Sequence, residues 1–242
     1  MKQESFSNKS SKKQEGFHFG QVEDLYGPVE KIIKSLYPNI KNGEYGLIIG
    51  DDASGRIPAL LLNEVIKNLY KEFGYEKPDI RFLSGSRNLS GEEKEQKKEL
   101  ISEYLEKVRK NLSNDNSPKK TLVVTDVVAT GVSLDPLIET LKEMNMDFDI
   151  VSVGDATTDD VEKRWGKEVY FGKTNMPAIY GEDNLHGVVK NVNELFSHPI
   201  KNNLTYYTEK EKVDIQLNIN EAREDMQNLA EKILEDIRKK NK

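Results

Sequence analysis

Residues 121–134 read TLVVTDVVATGVSL, and this stretch decides the fold class. Its β-branched start predicts a buried strand that ends on a single carboxylate, Asp126. The chain then turns through Thr130 and Gly131, and the apolar spacing that follows predicts a helix with Ser133 as its N-cap. Backbone N–H groups at a helix N-terminus bind anions, and phosphate suits them best. Because a preceding acid can bind hydroxyls, the stretch favours a phosphorylated sugar as ligand.

Strands and helices alternate along the rest of the chain. Apolar runs predict strands at 45–50, 79–84, 121–126, 148–153 and 168–171, and helical spacing predicts helices at 22–37, 57–73, 92–112 and 220–239. This alternation predicts an α/β protein with a Rossmann-like, mostly parallel sheet flanked by helices and with helical N- and C-terminal extensions. We divide the chain into a disordered tail (1–16), an α/β domain (17–200) with a helical insertion (85–120), and a C-terminal helical extension (201–242).

Composition excludes several classes of function. A formal net charge of −6 argues against binding to duplex nucleic acid. The absence of cysteine excludes disulfides, thiol nucleophiles and cysteine-rich zinc sites. No apolar run approaches the roughly 18 residues of a membrane span, and the N-terminus lacks the apolar core of a signal peptide. We therefore expect a cytoplasmic protein with a small-molecule ligand, and the apolar stripe of the last helix is either core or a homodimer contact.

Polar residues follow three of the predicted strands, at the edge of the sheet where ligands of open α/β sheets bind. The three loops are GDDASGR at 50–56, SGSR at 84–87 and TDVVATGVS at 125–133. Each combines small residues, which allow close backbone approach, with a charge or a hydroxyl. Taken singly, each loop has residues that are common in ordinary turns. Three such loops after consecutive strands indicate one shared binding site.

The stretch at 121–134 resembles the motif with which type I phosphoribosyltransferases bind 5-phosphoribosyl 1-pyrophosphate (PRPP). The family motif is an apolar strand, two acids, two apolar residues, a variable residue, Thr-Gly, a spacer and Thr or Ser. The matching positions are Asp126 for the second acid, followed by Ala129, Thr130, Gly131, Val132 and Ser133 for the phosphate loop. Order and spacing agree with the family over residues 45–172, about half of the chain.

The resemblance implies Mg²⁺-dependent transfer of ribose 5-phosphate from PRPP to a nitrogen base, with release of pyrophosphate. Asp126 would bind the ribose hydroxyls and stabilise the ribosyl group as it gains positive charge. The loop at 50–56 is similar to the family's pyrophosphate loop, and the insertion at 85–120 stands where the family carries its mobile catalytic loop. The resemblance further implies that Arg56 acts with Asp126 as a catalytic residue, and that Asp51 and Asp52 are metal ligands alongside Asp126. The further substrate contacts that it implies are Ser54, Gly55, Arg87 and Thr125.

Two departures from the family pattern leave alternatives open. Thr125 stands at the first acidic position, and the loss of that carboxylate removes a charge-assisted contact of about 1.5–3 kcal/mol. Ala129 replaces the Asp that guanine- or hypoxanthine-specific members often carry as a base. A non-catalytic binder of PRPP or a nucleotide therefore remains an alternative, and a receiver-like phosphorelay domain ranks last. Residues 172–198 do not identify the acceptor base, and His186 and Tyr180 have either a base-contact or a structural role.

Overall fold

A computed structural model describes residues 16–85, 89–112, 119–157, 160–173, 185–190, 194–200 and 208–240. Its main sheet has five parallel strands in the order β2-β1-β3-β4-β5. These strands are β1 (Tyr45–Asp52), β2 (Asp79–Ser84), β3 (Lys120–Val128), β4 (Phe148–Asp155) and β5 (Val169–Lys173). A separate antiparallel pair joins β6 (Val188–Val189) to β7 (His198–Pro199). The prediction of a parallel sheet flanked by helices is confirmed.

The helices lie between the strands and at both ends of the described chain. They are α1 (Gly20–Glu23), α2 (Tyr26–Lys41), α3 (Arg56–Phe73), α4 (Gly91–Leu112), α5 (Asp135–Glu143), α6 (Val161–Trp165) and α7 (Glu209–Lys240). The single helix predicted at 22–37 is instead two, because the chain bends between α1 and α2. Helix α7 begins at Glu209 rather than at 220, and its extra turns bury Ile215 and Ile219 against Ile200.

Four strands (β1, β3, β4 and β5) extend two residues beyond their predicted ends. β1 continues through Asp51 and Asp52, which pair with Leu83 and Ser84 of β2. β3 continues to Val128, and β4 continues beside it to residue 155. Charged residues seldom occupy buried strands, so the apolar pattern stops before the ladder does. The acids that were predicted to lie in loops are therefore strand residues held by backbone pairing.

Both faces of the sheet are covered, as a parallel sheet requires. One apolar core lies between the sheet and helices α2, α3 and α7, and a second lies between the opposite face and helices α4, α5 and α6. Alternate strand residues contribute to the two cores: Leu122 and Val124 of β3 face the first, and Val123 faces the second. The result is a three-layer α/β/α arrangement.

The first helices of the described chain, α1 and α2, contact its last helix, α7. The carboxylate of Asp225, which is fully buried, accepts hydrogen bonds from the backbone N–H groups of His18 (3.1 Å) and Phe19 (2.8 Å) at the start of α1. Near the end of α7, Asp236 accepts a hydrogen bond from the hydroxyl of Tyr26. Helix α7 is therefore joined to α1 and α2 by polar contacts, those to α1 through the buried Asp225, as well as by apolar packing. Within the described residues, no helix is long and apolar enough to cross a membrane.

Candidate functional site

The strand order creates a crevice at the carboxyl ends of β1 and β3. These strands are neighbours, but the chain leaves β1 for β2 on one side and leaves β3 for β4 on the other. In open α/β sheets, ligands bind at this kind of topological switch point. The loops at 50–56 and 125–133 start there, and the loop after β2 lies one strand away. Tertiary structure thus brings together the polar ends of three strands that are distant in sequence.

Two buried carboxylates flank a hydroxyl at the centre of the crevice. The Thr125 Oγ1 lies 3.5 Å from Oδ2 of Asp51 and 3.3 Å from Oδ1 of Asp126. Burial raises the pKa of Asp51 to about 6 and also raises the pKa of Asp126. Hydrogen bonds with the hydroxyls of Ser54 and Thr125 oppose the rise in the pKa of Asp126. The protein therefore compensates these two negative charges only in part, which suits a ligand with hydroxyls or a cation.

Asp52 has a different environment from that of Asp51. Its carboxylate, 1% exposed, accepts two hydrogen bonds from Arg56, which opens α3: Nε to Oδ1 at 2.8 Å and Nη2 to Oδ2 at 2.5 Å. The guanidinium of Arg56 also lies 4.1 Å above the centre of the Phe82 ring. The peptide bond between Asp52 and Ala53 is cis. The charge of Asp52 is thus neutralised inside the protein by a bidentate partner.

Replacing Arg56 by methionine is expected to lower the free energy of unfolding by about 1–3 kcal/mol, because the carboxylate of Asp52 then remains buried without its partner. Urea denaturation measures the change. A matched control is Arg238→Met, which removes an exposed pair with Glu72 (Nε to Oε1, 2.9 Å) and should cost less than about 1 kcal/mol. Equal effects of the two substitutions would show that the Asp52–Arg56 pair behaves as a surface pair.

Two glycines allow the loops to approach the strand ends. A Cβ at Gly55 would lie 2.6 Å from the carbonyl oxygen of Val124, and a Cβ at Gly85 would lie 2.3 Å from Oδ1 of Asp51. The backbone N–H of Gly85 donates a hydrogen bond to that same Oδ1 atom at 3.0 Å. Residue 85 therefore joins the end of β2 to the end of β1. Arg87, predicted as a substrate contact, lies outside the described residues.

The loop at 129–133 has a shape that suits an anion. Gly131 has φ +71°, a conformation that side chains disfavour, and a Cβ there would lie 2.5 Å from the Trp165 ring. The carbonyl of Thr130 accepts a hydrogen bond from Arg164, which keeps this part of the loop in place. As far as the structure describes the chain, the N–H groups of residues 129–133 have no acceptor. Because the side chains of residues 129, 130 and 132 are exposed, this part of the backbone lies at the surface.

The start of α5 differs from the prediction. Ser133 is not the N-cap, because that position belongs to Leu134 and the helix begins at Asp135. The N–H of Leu134 donates to the carbonyl of Gly131 at 2.9 Å, and this tight turn buries the Leu134 side chain. The helix therefore begins one residue later than predicted. Asp135 then accepts a hydrogen bond from Nε1 of Trp165 at 2.8 Å, which links the loop to α6.

Two lysines that were not predicted as individual site residues lie beside Asp51. Lys97 of α4 is 3% exposed, donates a hydrogen bond to the carbonyl of Glu194, and has its pKa lowered to about 8 by burial. The Nζ atom of Lys190 lies 3.9 Å from Oδ1 of Asp51. Lys97 has a signal in the sequence, since it stands four residues before Ile101 on the apolar stripe of α4. A charge on a buried stripe marks a polar environment inside the fold.

Helix α4, the predicted insertion, is docked on the sheet. Ile101, Leu105 and Val108 are buried in the second core. Ion pairs join α4 to α5: Lys94 to Glu139 at 2.7 Å, and Lys98 to Glu143 at 2.6 Å. A cavity of about 10 Å³, room for about one water molecule, lies between α4, the end of β2 and the start of α5. The helix thereby places Lys97 against the crevice.

His186 is half-buried and lies close enough to the Asp52–Arg56 pair to be influenced by both charges. Burial lowers its pKa, and the charge of Asp52 opposes this shift. Its Nδ1 accepts a hydrogen bond from the backbone N–H of Val188 at 3.3 Å, so the neutral ring carries its proton on Nε2. Tyr180, the other candidate for contact with a base, lies outside the described residues. Across the part of the chain that the structure describes, no group of three or more acidic or histidine side chains could hold a metal ion by itself.

Comparison with solved structures shows what this chain is similar to. A purine phosphoribosyltransferase from Pyrococcus horikoshii is 16% identical over 65% of this chain and 86% of that one, with a TM-score of 0.34. An orotate phosphoribosyltransferase from Aeropyrum pernix is 15% identical over 64% and 73%, with a TM-score of 0.37. A hypothetical protein from Neisseria gonorrhoeae with bound ppGpp is 15% identical over 68% and 89%, with a TM-score of 0.42.

Sequence comparison adds nothing to this: no protein-family model matches the chain, and no curated protein matches its sequence. The structural likenesses are distant, so any assignment of function has to come from the crevice itself. The crevice combines two buried carboxylates, an arginine at the start of α3, two nearby lysines, and a loop whose N–H groups have no acceptor among the described residues. Such a set of groups suits a ligand that carries both hydroxyls and phosphates.

Proposed function

We propose that the protein is a phosphoribosyltransferase, which transfers ribose 5-phosphate from PRPP to a nitrogen base and releases pyrophosphate. One observation carries the proposal: the N–H groups of residues 129–133, which have no acceptor in the described part of the chain, follow Asp126 at the switch point of the sheet. The N–H groups suit the 5′-phosphate, and the carboxylate suits the ribose hydroxyls. A phosphorylated sugar is the ligand that uses both.

The remaining groups of the crevice fit the pyrophosphate of PRPP. Arg56 has five N–H donors, of which Asp52 uses the one on Nε and one on Nη2. The other donors of this guanidinium suit pyrophosphate oxygens, and Asp52 holds the group in a single orientation. Ser54 and Gly55 form the turn between Asp52 and Arg56. Catalysis would then be largely positional and electrostatic, since the site offers fixed charges rather than a nucleophile.

Mg²⁺ fits the residues of the crevice in a restricted way. Mg²⁺ in phosphate-binding sites commonly takes one or two carboxylates together with substrate phosphates. Asp51 and Asp126 fit that role, because both are buried and only partly compensated. Asp52 fits less well, since both of its oxygens already accept hydrogen bonds from Arg56. When bound, Mg²⁺ would supply positive charge against the leaving pyrophosphate.

A second candidate function is a non-catalytic binder of PRPP or a nucleotide on the same fold. Thr125 favours it, because the family motif has a carboxylate at that position that supports the developing charge of the ribosyl group. The two candidates agree on the ligand and differ on the reaction. They are separated by whether pyrophosphate is released.

Titration calorimetry with PRPP and Mg²⁺ tests the proposal. The wild type is expected to bind, and Asp126→Asn should bind about 10- to 100-fold more weakly, because it loses a charge-assisted contact with the ribose. Asp149→Asn is a matched control, since Asp149 is a largely buried acid near the start of β4, where it accepts from the Tyr45 hydroxyl at 2.7 Å. Asp149→Asn should leave the affinity for PRPP unchanged.

Three outcomes of this titration have different meanings. Absence of heat with the wild type at any PRPP concentration contradicts both candidate functions. Binding followed by pyrophosphate release with one member of a panel of purine and pyrimidine bases supports the enzyme. Binding without release across the whole panel supports the non-catalytic binder. Repeating the titration with EDTA in place of Mg²⁺ measures how far the affinity depends on the metal.

A further inference from the structure

We propose that Asp51 supplies the carboxylate that is missing at position 125, and that Asp51 and Asp126 together bind the ribose hydroxyls. The inference rests on the proposed function and assigns a new role within the same site. It concerns two residues that are 75 positions apart and belong to different strands. The sequence motif alone suggests that one acid has been lost. In the structure, a second acid stands beside the substituted position.

The strand register places Asp51 next to Thr125. Parallel pairing joins Ile49 to Val123 and Gly50 to Val124, so the next residues along the two strands are Asp51 and Thr125. Neighbouring residues in register project from the same face of a sheet. Asp51 and Thr125 therefore point toward the face that α4 and α5 cover. The side chain of Asp51 thus leaves the sheet on the same face as position 125 and one strand away from it.

The contacts agree with the register. The hydroxyl of Thr125 lies 3.5 Å from Oδ2 of Asp51 and 3.3 Å from Oδ1 of Asp126, so it stands between the two carboxylates. The carboxylates are about equally accessible, at 5% exposure for Asp51 and 7% for Asp126. A third carboxylate at position 125 would add a like charge to this buried group, at a cost in stability. Threonine keeps a short polar link there without that charge.

The surroundings of Asp51 aim one of its oxygens at the crevice. Oδ1 accepts the N–H of Gly85 at 3.0 Å and lies 3.9 Å from Nζ of Lys190. Oδ2 is the oxygen that faces the hydroxyl of Thr125, which in turn lies 3.3 Å from Oδ1 of Asp126. The lack of a side chain at Gly85 is required for this arrangement, since a Cβ would lie 2.3 Å from Oδ1. One oxygen thus anchors the carboxylate, and the other is directed to the place where the ribose would bind.

The pair restores the charge that the motif normally carries. A ribosyl group that gains positive charge is stabilised by fixed negative charge close by. Asp126 alone supplies one carboxylate, and Asp51 raises the number to two without any change in the motif itself. Asp52 is not an alternative source of the second carboxylate. It follows Asp51 on β1 and therefore points to the opposite face of the sheet, where it pairs with Arg56.

A reciprocal exchange tests the assignment by calorimetry with Mg²⁺, using PRPP and ribose 5-phosphate as separate ligands. Asp51→Asn should weaken the binding of both ligands about 10- to 100-fold, since ribose 5-phosphate has the hydroxyls but lacks pyrophosphate. The double variant Asp51→Thr with Thr125→Asp exchanges the two side chains between the strands. It should bind both ligands within about threefold of the wild type. Asp51→Glu, which keeps the charge, should bind more tightly than Asp51→Asn.

Each outcome of the exchange supports or overturns the assignment. Thermal unfolding first shows that each variant is folded, and Asp149→Asn controls for the loss of a buried acid elsewhere. If the wild type binds but Asp51→Asn binds equally well, the assignment is wrong and the proposed function stands. A folded double variant with the weak affinity of Asp51→Asn also overturns it. If the exchanged protein does not fold, the comparison of Asp51→Asn with Asp51→Glu decides. If the wild type binds neither ligand, the proposed function fails and the assignment falls with it.

Discussion

Gly131→Ala is expected to lower the affinity for PRPP about 100-fold, which corresponds to about 2.7 kcal/mol. The φ of +71° at this position costs an alanine about 1–2 kcal/mol. The added Cβ would also lie 2.5 Å from the Trp165 ring and 2.7 Å from Nη2 of Arg164. Because Trp165 is buried, the loop has to move instead of the ring, and the N–H groups of residues 129–133 lose their shared direction. Titration calorimetry with PRPP and Mg²⁺ measures the loss.

Gly74→Ala is the matched control for this substitution. Gly74 has φ +81°, so an alanine there meets a similar backbone penalty, but nothing lies within 4 Å of its added Cβ. It ends α3, far along the chain from the loop at 129–133. Gly74→Ala should lower the free energy of unfolding by about 1 kcal/mol and leave the affinity for PRPP unchanged. A Gly131→Ala protein that binds PRPP as tightly as Gly74→Ala would show that this loop does not hold the phosphate.

Leu229→Ala is expected to lower the free energy of unfolding by about 2–5 kcal/mol. Leu229 of α7 is fully buried in the first core, together with Leu62 and Val65 of α3. The substitution leaves a cavity between the C-terminal helix and the helix that carries Arg56 at its start. Urea denaturation gives the free energy, and a single transition would show that α7 unfolds together with the sheet.

Leu217→Ala provides the comparison on the same helix. Leu217 is 51% exposed, so its truncation removes little buried apolar area and should change the free energy by less than about 0.5 kcal/mol. Both substitutions replace leucine by alanine in a helix, which makes the difference between them a measure of burial. If Leu229→Ala also costs less than about 1 kcal/mol, α7 does not belong to the cooperative core.

The layout of the fold could be predicted from local patterns. The runs at 45–50 and 121–126 have continuous apolar centres at 47–49 and 122–124, which is typical of strands buried on both faces, and the intervening helices have clear apolar stripes. The prediction failed where the local pattern and the backbone pairing differ. Asp51 and Asp52 look like loop residues by composition, yet they remain in the ladder because β2 continues beside them. Ser133 resembles an N-cap, yet the bond from Leu134 to Gly131 closes a turn first.

The candidate site could be predicted only in its parts. The acid and the Thr-Gly turn of residues 126–131 are contiguous, so the motif is visible in the sequence. Lys190 has no such pattern, because it comes from a segment after the last strand of the sheet and approaches Asp51 through the fold alone. The pairing of Arg56 with Asp52 is local in the sequence. Whether Asp51 or Asp52 remains available to a ligand depends on burial, which the sequence does not show.

The sequence by itself determined the order of the strands and helices and the polar residues that follow each apolar run, because both follow from local pattern and chain order. Only the tertiary structure decided which strand ends are neighbours. The order β2-β1-β3-β4-β5 sets β1 beside β3, although β2 and α4 separate them in the chain. Helix packing on both faces and the register of backbone hydrogen bonds select that order, and neither is encoded in any short segment. Position 125 therefore looks like a lost acid in the sequence, and in the fold it is the link between two acids.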